Sequence, residues 1–341
     1  MKILHLLSCN SFSGAENVAC TIIESLDESY ECIYCSPNGS IKDVLLDKGI
    51  NYYPLSKMSL KELKKALKDI EPDIIHAHDY KASCLASFFH KRYKIISHIH
   101  GNKKIMHKKN IKSYLYKILS KNINKIIWVS DSCLNEYVYK KDVINKSIIL
   151  YNTVNKKDVI NKSKEYQVNK SYDLIYLGRL IDIKDPEKLF EIVKRLSYLK
   201  QDIKVAIVGD GPLLNRIKHL TKIFCLDNNI DFYGYVSNPY PILNKSKILI
   251  ITSKYEGTPM VSLEASALKK PIVSTPIDGM KKIIKNGYNG YLCNTYDDFI
   301  NKILEILNNY SLYTKNVNKN FININDEKGY LKSIKEIYKS L

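Results

Sequence analysis

Twice along the chain, short apolar runs alternate with longer segments of helical periodicity, and a polar interval over residues 152–172 separates the two series. The first series reads KILHLL, YECIYC, DIIHAH, KIISHIH, KIIWVS and SIILYN, and the second reads YDLIYLG, IKVAIVG, NIDFYGY, KILIIT, PIVST and GYLC. Apolar runs of this length between helical segments indicate parallel strands that are covered by helices on both faces. The sequence therefore predicts two successive doubly wound α/β domains joined by a polar linker.

The prediction places one Rossmann-like domain over residues 1–160 and a second over residues 161–325. A terminal helix over residues 326–341 is expected to pack back toward the first domain. A chain of 341 residues with 45% hydrophobic composition is long enough for two such domains, each with its own core. Because ligands bind beyond the carboxyl ends of the strands in such sheets, we expect the domains to face each other across a ligand cleft.

The net charge of +18 favours a polyanionic partner, an anionic membrane surface or phosphorylated ligands. Residues 1–101 are neutral overall, whereas residues 102–125 hold eight lysines and no acidic residue. The apolar residues of this basic segment recur at helical spacing; they are Ile111, Tyr114, Leu115, Ile118 and Leu119. Such a helix lies on an anionic bilayer or packs its apolar stripe on the core, and the pattern leaves both open. A nucleic-acid partner is not expected, since it would leave the repeated sheet architecture unexplained.

The eight cysteines include one close pair, Cys32 and Cys35, which lies in a predicted strand. Residues three apart on a strand point to opposite faces, so the pair is typical of buried thiols in a reducing compartment. No stretch approaches the roughly 18 apolar residues of a spanning helix, and the first apolar run is too short for a signal peptide. We expect a cytoplasmic protein, peripheral on the inner membrane face if the basic segment binds lipid.

The stretch SKYEGTPMVSLEASALKKPIV places Glu256 in a loop after a buried strand and Glu264 eight positions later in a predicted helix. Thr258 is the predicted N-cap of this helix and Pro259 its first residue. The backbone N–H groups at the helix start suit a phosphate or sugar hydroxyls. Glu264 lies among small apolar residues, where an unpaired charge is costly unless a polar ligand compensates. The stretch therefore predicts a ligand site at the carboxyl end of the second sheet.

This stretch resembles the Glu-x7-Glu motif of family 4 retaining glycosyltransferases, two-domain enzymes of the GT-B architecture. The segments FSGAEN, HAHD, SHIHG, WVSDSC, YLGRLIDIKD, VGDGP and FYGYV precede it in the family's order, so the resemblance covers nearly the whole chain. It implies transfer of a hexose-type sugar from a nucleotide-diphosphate donor, most commonly a UDP-sugar, to a glycan or lipid-linked acceptor. Capsule or other surface polysaccharide synthesis is the implied setting, and neither a metal nor another cofactor is expected.

The resemblance also implies roles for individual residues. Arg179 and Lys184 in GRLIDIKD match the cationic pair that holds the donor pyrophosphate, and two fixed cations at a strand end suit a diphosphate. Glu256 would bind the donor sugar and Glu264 the ribose hydroxyls. The remaining matches are the turn glycine Gly14, His100 near the donor sugar, and the amides of Gly257, Thr258, Met260 and Val261, which would line the sugar and phosphate.

Other classes of protein account for parts of the sequence. An NAD-dependent oxidoreductase is suggested by IVGDGPLL, although Leu214 stands where the third glycine of the dinucleotide motif belongs. HAHD would be a metal cluster if further ligands joined it, but none is evident, so we interpret His76 as strand packing and His78 as cleft lining. A glycosidase leaves the cationic pair unexplained. A nucleotide-sugar epimerase with the GT-B fold stays open. The loop over residues 276–284 departs from the family pattern, which leaves the donor sugar open as well.

Overall fold

The computed structural model describes residues 1–341, which divide into two compact units. The first unit comprises Met1–Asn152 together with Glu327–Leu341, and the second unit comprises Thr153–Asp326. The boundary after Asn152 precedes the predicted one after residue 160. The terminal helical segment belongs to the unit that contains Met1.

Two parallel sheets form the centres of the two units. The strands of the first sheet are β1 (Lys2–Leu6), β2 (Glu31–Pro37), β3 (Tyr52–Leu55), β4 (Ile74–Ala77), β5 (Lys94–Ile99), β6 (Lys125–Trp128) and β7 (Ser147–Ile149). The strands of the second sheet are β8 (Tyr172–Leu177), β9 (Val205–Val208), β10 (Ile230–Gly234), β11 (Ser246–Ile251), β12 (Ile272–Ser274) and β13 (Gly290–Leu292). Their orders are β3-β2-β1-β4-β5-β6-β7 and β10-β9-β8-β11-β12-β13.

Each apolar run that the sequence predicts as a strand overlaps one of these strands over most of its length, so the prediction of two doubly wound sheets is confirmed. The strand that sequence reasoning missed is β3, which lies at the edge of the first sheet. It is largely half-buried and contains Pro54, whose missing N–H is tolerated at a sheet edge. An edge strand of this kind lacks the continuous apolar run by which the central strands are found.

The α-helices, which lie between and after the strands, are numbered in chain order. They are α1 (Gly14–Ser25), α2 (Ile41–Asp47), α3 (Leu60–Ile70), α4 (Tyr80–Ser87), α5 (Ile111–Ser120), α6 (Asp131–Asn135), α7 (Lys140–Val143), α8 (Lys156–Lys162), α9 (Pro186–Leu199), α10 (Leu214–Ile223), α11 (Tyr240–Asn244), α12 (Met260–Ala267), α13 (Asp278–Ile283), α14 (Tyr296–Asn308), α15 (Tyr310–Ile324) and α16 (Glu327–Lys339). None of them combines the length and apolar content that crossing a lipid bilayer requires.

The predicted linker over residues 152–172 is wrong in one respect, because it contains helix α8. Asn155 caps this helix, and its side chain accepts a hydrogen bond from the N–H of Asp158. Capping satisfies an N–H group that the first turn leaves without an intrahelical partner. A short capped helix therefore forms in a segment whose composition is typical of a loop.

Helix α16 completes the first unit through its last turns. Ile334, Ile337 and Tyr338 are buried, and the Tyr338 hydroxyl lies 2.7 Å from Nδ1 of His76 in β4. The amphipathic pattern places these residues on one face of the helix. The terminal helix is thus fixed by apolar packing and by one buried polar contact.

The strand order reverses between β1 and β4 in the first sheet and between β8 and β11 in the second. At such a point the loops after the two central strands leave in opposite directions, which opens a crevice at the carboxyl ends of the strands. The residues that the sequence proposes for ligand binding lie in the segments after these central strands and their neighbours, either in the loops or in the helices that follow them.

Candidate functional site

The centre of the candidate site in the second unit is an ion pair between two loops. Lys184 lies in the loop after β8, and Glu256 lies in the loop after β11. Lys184 Nζ donates to Glu256 Oε2 over 2.6 Å, and the Ser253 hydroxyl donates to the other carboxylate oxygen. The side chains of Lys184 and Glu256 are 22% and 14% exposed, so both retain access to solvent and to a ligand.

Backbone contacts hold these two loops together independently of the ion pair. The Thr252 hydroxyl oxygen lies 2.9 Å from the carbonyl oxygens of both Lys184 and Asp185. The N–H of Lys254 donates to the carbonyl of Ile183 over 2.8 Å. The relative position of Lys184 and Glu256 is therefore fixed by the main chain, and the ion pair can exchange partners without displacement of the loops.

Arg179, the other predicted phosphate ligand, follows β8 directly. Its backbone carbonyl accepts a hydrogen bond from the Tyr176 hydroxyl over 3.0 Å, while its side chain points into solvent. Burial and the nearby carboxylate of Glu256 raise the pKa of Tyr176, so this hydroxyl stays a donor. The backbone of Arg179 is held in place by this hydrogen bond, while its guanidinium group is exposed to solvent. A phosphate ligand requires such an accessible cation.

The glycines of VGDGP support the loop that carries Arg179. Gly209 and Gly211 have φ values of 136° and 155°. A Cβ on Gly209 would lie 2.0 Å from the carbonyl oxygen of Gly178, and one on Gly211 would lie 2.5 Å from that of Leu180. Only glycine permits this approach of backbone to backbone. Packing of two loops accounts for both glycines, which removes the reason for interpreting them as a dinucleotide motif.

Helix α12 presents its first turn beside Glu256. The helix begins at Met260 with Pro259 as the N-cap, so the prediction of Thr258 as N-cap and Pro259 as first helical residue is wrong by one position. No side chain caps the helix. The N–H groups of Met260 and Val261 precede the first intrahelical bond, and they are the donors that an anion or a hydroxyl would use.

The loop before α12 is closely packed against α13, the helix within the divergent segment 276–284. Gly257 and Thr258 are buried, and a Cβ on Gly279 would lie 1.8 Å from the carbonyl oxygen of Gly257. Asp278, at the start of α13, pairs with Lys281 over 3.4 Å. The divergent segment therefore shapes the loop that carries Glu256, whatever sugar it accommodates.

Glu264 lies one turn further along α12 and is 7% exposed. Its Oε1 accepts a hydrogen bond from the Tyr240 hydroxyl over 3.1 Å. Burial raises the pKa of Glu264 from 4.5 to about 7, because removal from water disfavours the charged form. Near neutral pH this carboxyl group is therefore able to donate or accept a hydrogen bond, which suits a partner with hydroxyl groups.

In the first unit, Gly14 is the first residue of α1 and His100 directly follows β5. His100 Nε2 lies 2.9 Å from His78 Nδ1, and burial lowers the pKa of His100 to about 3, so its imidazole is neutral. The expectation that HAHD has no further ligand nearby is wrong. His5, His98 and His100 join His76 and His78 in one cluster. Two His-x-His pairs at the ends of predicted strands were the available signal, but the sequence does not show that the strands are neighbours.

The structure also contradicts one of the two interpretations of the basic segment over residues 102–125. Helix α5 buries Ser113, Tyr116 and Ser120, while its apolar stripe, apart from the half-buried Leu119, faces solvent. The exposed members of the stripe are Ile111 (86%), Tyr114 (53%), Leu115 (47%) and Ile118 (43%). The alternative of a core-facing apolar stripe is therefore wrong.

The comparisons agree with the sequence resemblance. Residues 158–324 match the family of glycosyl transferases group 1, and residues 12–157 match glycosyltransferase family 4. An uncharacterized glycosyltransferase of Methanocaldococcus jannaschii is 30% identical over 253 residues, which cover 70% of this chain and 67% of the relative. The UDP-Gal:alpha-D-GlcNAc-diphosphoundecaprenol alpha-1,3-galactosyltransferase of Escherichia coli is 26% identical and covers 99% and 96% of the two chains.

A solved structure shows the same fold. HepE of Anabaena, crystallised with UDP and glucose, matches with a TM-score of 0.87 over 100% of both chains at 18% identity. This likeness concerns the fold, and the family matches concern the sequence on both sides of the boundary between the units. The chain belongs to the family 4, group 1 glycosyltransferases, and its two parallel sheets are the two halves of a GT-B fold.

Proposed function

We propose that this glycosyltransferase takes a sugar from a UDP-sugar and transfers it, with retention of anomeric configuration, to a lipid-linked or glycan acceptor in surface polysaccharide synthesis. The observation that carries the proposal is the Lys184–Glu256 pair at the carboxyl ends of β8 and β11, with Glu264 one turn into helix α12. Lys184 supplies a cation for the donor diphosphate, Glu256 supplies a carboxylate for the sugar, and Glu264 supplies a buried carboxyl group for the ribose.

In the proposed reaction the donor diphosphate takes the ammonium of Lys184 and the guanidinium of Arg179. Both cations offset the negative charge that grows on the leaving phosphate as the bond from the sugar to phosphate oxygen breaks. Once Lys184 has turned to the diphosphate, the carboxylate of Glu256 accepts hydrogen bonds from the sugar hydroxyls. The acceptor hydroxyl attacks the same face, and its proton passes to the leaving phosphate oxygen, so no protein nucleophile is needed.

The remaining site residues keep the roles that the resemblance implies. The amides of Gly257, Thr258, Met260 and Val261 would line the sugar and phosphate, and Glu264 would bind the ribose. Tyr240 supports that role, since its hydroxyl holds Oε1 of Glu264. Gly14 and His100 are assigned in this proposal to the phosphate and the sugar. The transfer reaction is expected to need no metal or other cofactor.

A membrane-bound acceptor is supported by the surface of α5. The exposed stripe of Ile111, Tyr114, Leu115 and Ile118 is accompanied by the lysines of the basic segment. Apolar side chains enter the interfacial region of a bilayer, and lysines beside them contribute about 1 kcal/mol each at an anionic surface. The name of the Escherichia coli relative specifies a diphosphoundecaprenol acceptor. We therefore propose peripheral association with an anionic membrane.

The first test is a thermal-shift panel of UDP, GDP, ADP, their common sugar conjugates and NADH. A ligand bound by the native state raises the melting temperature by mass action. We expect the UDP series to stabilise the wild type and the Lys222→Ala control, and to lose most of its effect with Lys184→Ala. Lys222 is exposed in the same unit, outside the site. Stabilisation by NADH alone would contradict the proposal.

The second test uses the UDP-sugar that the panel identifies. Incubation with acceptor candidates of the lipid-diphosphate-sugar type and analysis of the product by NMR give the anomeric configuration of the new linkage. We expect it to equal that of the donor. Inversion would contradict the retaining mechanism while leaving the transferase assignment intact.

A further inference from the structure

Five of the eight histidines lie together at the carboxyl end of the first sheet. The members of this histidine cluster are His5, His76, His78, His98 and His100. His5 and His76 are register partners on the neighbouring strands β1 and β4. The other members follow at two-residue intervals along β4 and β5 and just beyond them. Side chains two residues apart on a strand point to one face, so the five imidazoles share one side of the sheet.

The ring nitrogens of the cluster contact one another directly. His78 lies at the centre, with Nδ1 at 2.9 Å from His100 Nε2 and Nε2 at 2.9 Å from His5 Nδ1. On the other branch, His98 Nδ1 lies 3.2 Å from His76 Nε2. His76 Nδ1 lies 2.7 Å from the hydroxyl oxygen of Tyr338. Each imidazole is therefore held at one nitrogen or both by a partner of the same unit.

Three buried ring nitrogens have no hydrogen-bond partner; they are His5 Nε2, His98 Nε2 and His100 Nδ1. An unpaired buried polar atom costs about 1–3 kcal/mol, and native proteins contain few. A neutral imidazole carries a proton on one ring nitrogen and a lone pair on the other. Neutral imidazoles with unpaired nitrogens are the form in which histidine binds a metal ion.

Two subsets of three histidines have ring nitrogens close enough together to share a single ion. His78, His98 and His100 each offer a nitrogen, and the three nitrogens lie within 4.8 Å of one another. Ligands at about 2.0–2.1 Å from a tetrahedral zinc ion are about 3.3 Å apart. This subset contains two of the three unpaired nitrogens, and His100 is partly exposed, which gives an ion a way in. The alternative subset of His5, His76 and His78 is fully buried.

We propose that His78, His98 and His100 bind one transition-metal ion of the zinc class, which competes with the donor sugar for the imidazole of His100. His98 binds through Nε2, while its Nδ1 is oriented by His76, which Tyr338 holds in turn. His78 binds through Nδ1, which exchanges its contact with His100 Nε2 for the ion, while its Nε2 is oriented by His5. Metal-binding histidines usually have such an outer partner at the second ring nitrogen, which fixes the tautomer. Three imidazoles without thiolate or carboxylate suit Zn²⁺, Co²⁺, Ni²⁺ or Cu²⁺ rather than Mg²⁺ or Ca²⁺.

The test exploits the position of the other three histidines. His90, His107 and His219 lie outside the cluster, so a His90→Gln/His107→Gln/His219→Gln variant retains the cluster as its only histidines. Cys225 is exposed and is changed to Ser in the same untagged protein, which removes an accessible thiolate. Titration of the reduced protein with Co²⁺ is followed by visible absorption, with Zn²⁺ as competitor. We expect one equivalent to bind, without a thiolate charge-transfer band.

The cluster is then changed one residue at a time in that background. His98→Gln is expected to lower the affinity for Co²⁺ at least 10-fold, and circular dichroism checks that the variant is folded. If His98→Gln does not fold, X-ray absorption of the zinc-loaded parent decides, since three imidazole nitrogens are expected around the metal. Binding of much less than one equivalent by the parent, unchanged affinity in folded His98→Gln, or a sulfur-containing shell would overturn the proposal. No measurement requires turnover, so the result is independent of the donor and acceptor.

Discussion

Lys184 Nζ lies 2.6 Å from Glu256 Oε2, which joins two residues that the proposed reaction assigns to different parts of the donor. A diphosphate and Glu256 therefore compete for one ammonium group. Because both side chains are partly buried, neither is left unpaired without cost. The ion pair neutralises the charges of both side chains until a donor binds. The donor then supplies a phosphate for Lys184 and hydroxyl groups for Glu256.

Replacement of Glu256 is expected to separate nucleotide binding from transfer. Glu256→Gln removes the competitor of the diphosphate, so UDP is expected to bind about 5-fold more tightly, as loss of an ion pair worth about 1 kcal/mol implies. Transfer from the UDP-sugar is expected to fall by at least 100-fold, since the sugar loses its carboxylate. Calorimetry with UDP and a product assay measure the two effects. Glu28→Gln, at an exposed position of the first unit, is the control; weaker UDP binding in Glu256→Gln would contradict the competition.

Glu264 is expected to make stability depend on pH. Its pKa is raised from 4.5 to about 7, so the folded state binds more protons than the unfolded state between these values. Stability therefore falls as pH rises through this window, and above pH 7 the full penalty of about 3 kcal/mol is present. Glu264→Gln removes the penalty. Urea unfolding is expected to show that the free energy of unfolding of the variant rises relative to that of the wild type between pH 5 and pH 8. A difference that stays constant over this range would contradict the raised pKa of Glu264.

Gly279 is expected to tolerate no side chain. A Cβ there would lie 1.8 Å from the carbonyl oxygen of Gly257, in backbone that cannot yield as a flexible side chain does. Gly279→Ala should therefore lower the free energy of unfolding by about 1–3 kcal/mol and weaken UDP-sugar binding, despite the better helix propensity of alanine. Gly101→Ala is the matched control, because a Cβ at Gly101 meets no atom within 4 Å. Equal stability of the two variants would disprove the overlap.

Two tyrosines of α16 form a matched pair for a hydrogen-bond test. The Tyr338 hydroxyl contacts His76 Nδ1, whereas the buried Tyr330 hydroxyl has no hydrogen-bond partner. Tyr338→Phe leaves a buried ring nitrogen unpaired and is expected to cost about 1–3 kcal/mol of unfolding free energy. Tyr330→Phe is expected to be neutral or stabilising. Similar losses in both variants, measured by urea unfolding, would show that the His76 contact contributes nothing specific.

The exposed stripe of α5 is expected to bind anionic membranes. Ile111→Ser/Leu115→Ser should reduce pelleting with phosphatidylserine-containing liposomes about 10-fold, and high salt should weaken pelleting of the wild type. Reversal of the lysine charges in residues 102–125 should abolish it. Leu312→Ser/Ile322→Ser removes two other exposed apolar residues, which lie in the second unit, and is the control. Equal pelleting of the two Ser variants and the charge-reversed protein would exclude this surface.

The sheets were predictable because their central strands are buried on both faces and form continuous apolar runs, such as the residues of β1 and β8. The start of helix α12 was predicted to within one residue, since Pro259 fits an N-cap and a first helical position almost equally well by φ. The edge strand β3 and the capped helix α8 were missed because their stability comes from pairing and capping rather than from an apolar pattern.

The candidate site residues of the second unit were proposed from local motifs. The resemblance named Lys184 and Glu256, and the structure adds that they bind each other. The histidine cluster was missed because strand adjacency decides it: His5 and His76 are 71 positions apart in sequence but are register partners. The orientation of α5 was equally hidden, since a periodic apolar stripe does not show which side of the helix the core covers.

The assignment of Glu327–Leu341 to the first unit has a consequence for the order of folding. During synthesis residues 1–152 emerge from the ribosome before the second unit has been made. Tyr338, whose hydroxyl contacts the buried His76, is made only after all residues of the second unit. Domains generally fold as units as they emerge, so the second unit reaches its final form first. The first-made half of the protein is therefore the last to be finished.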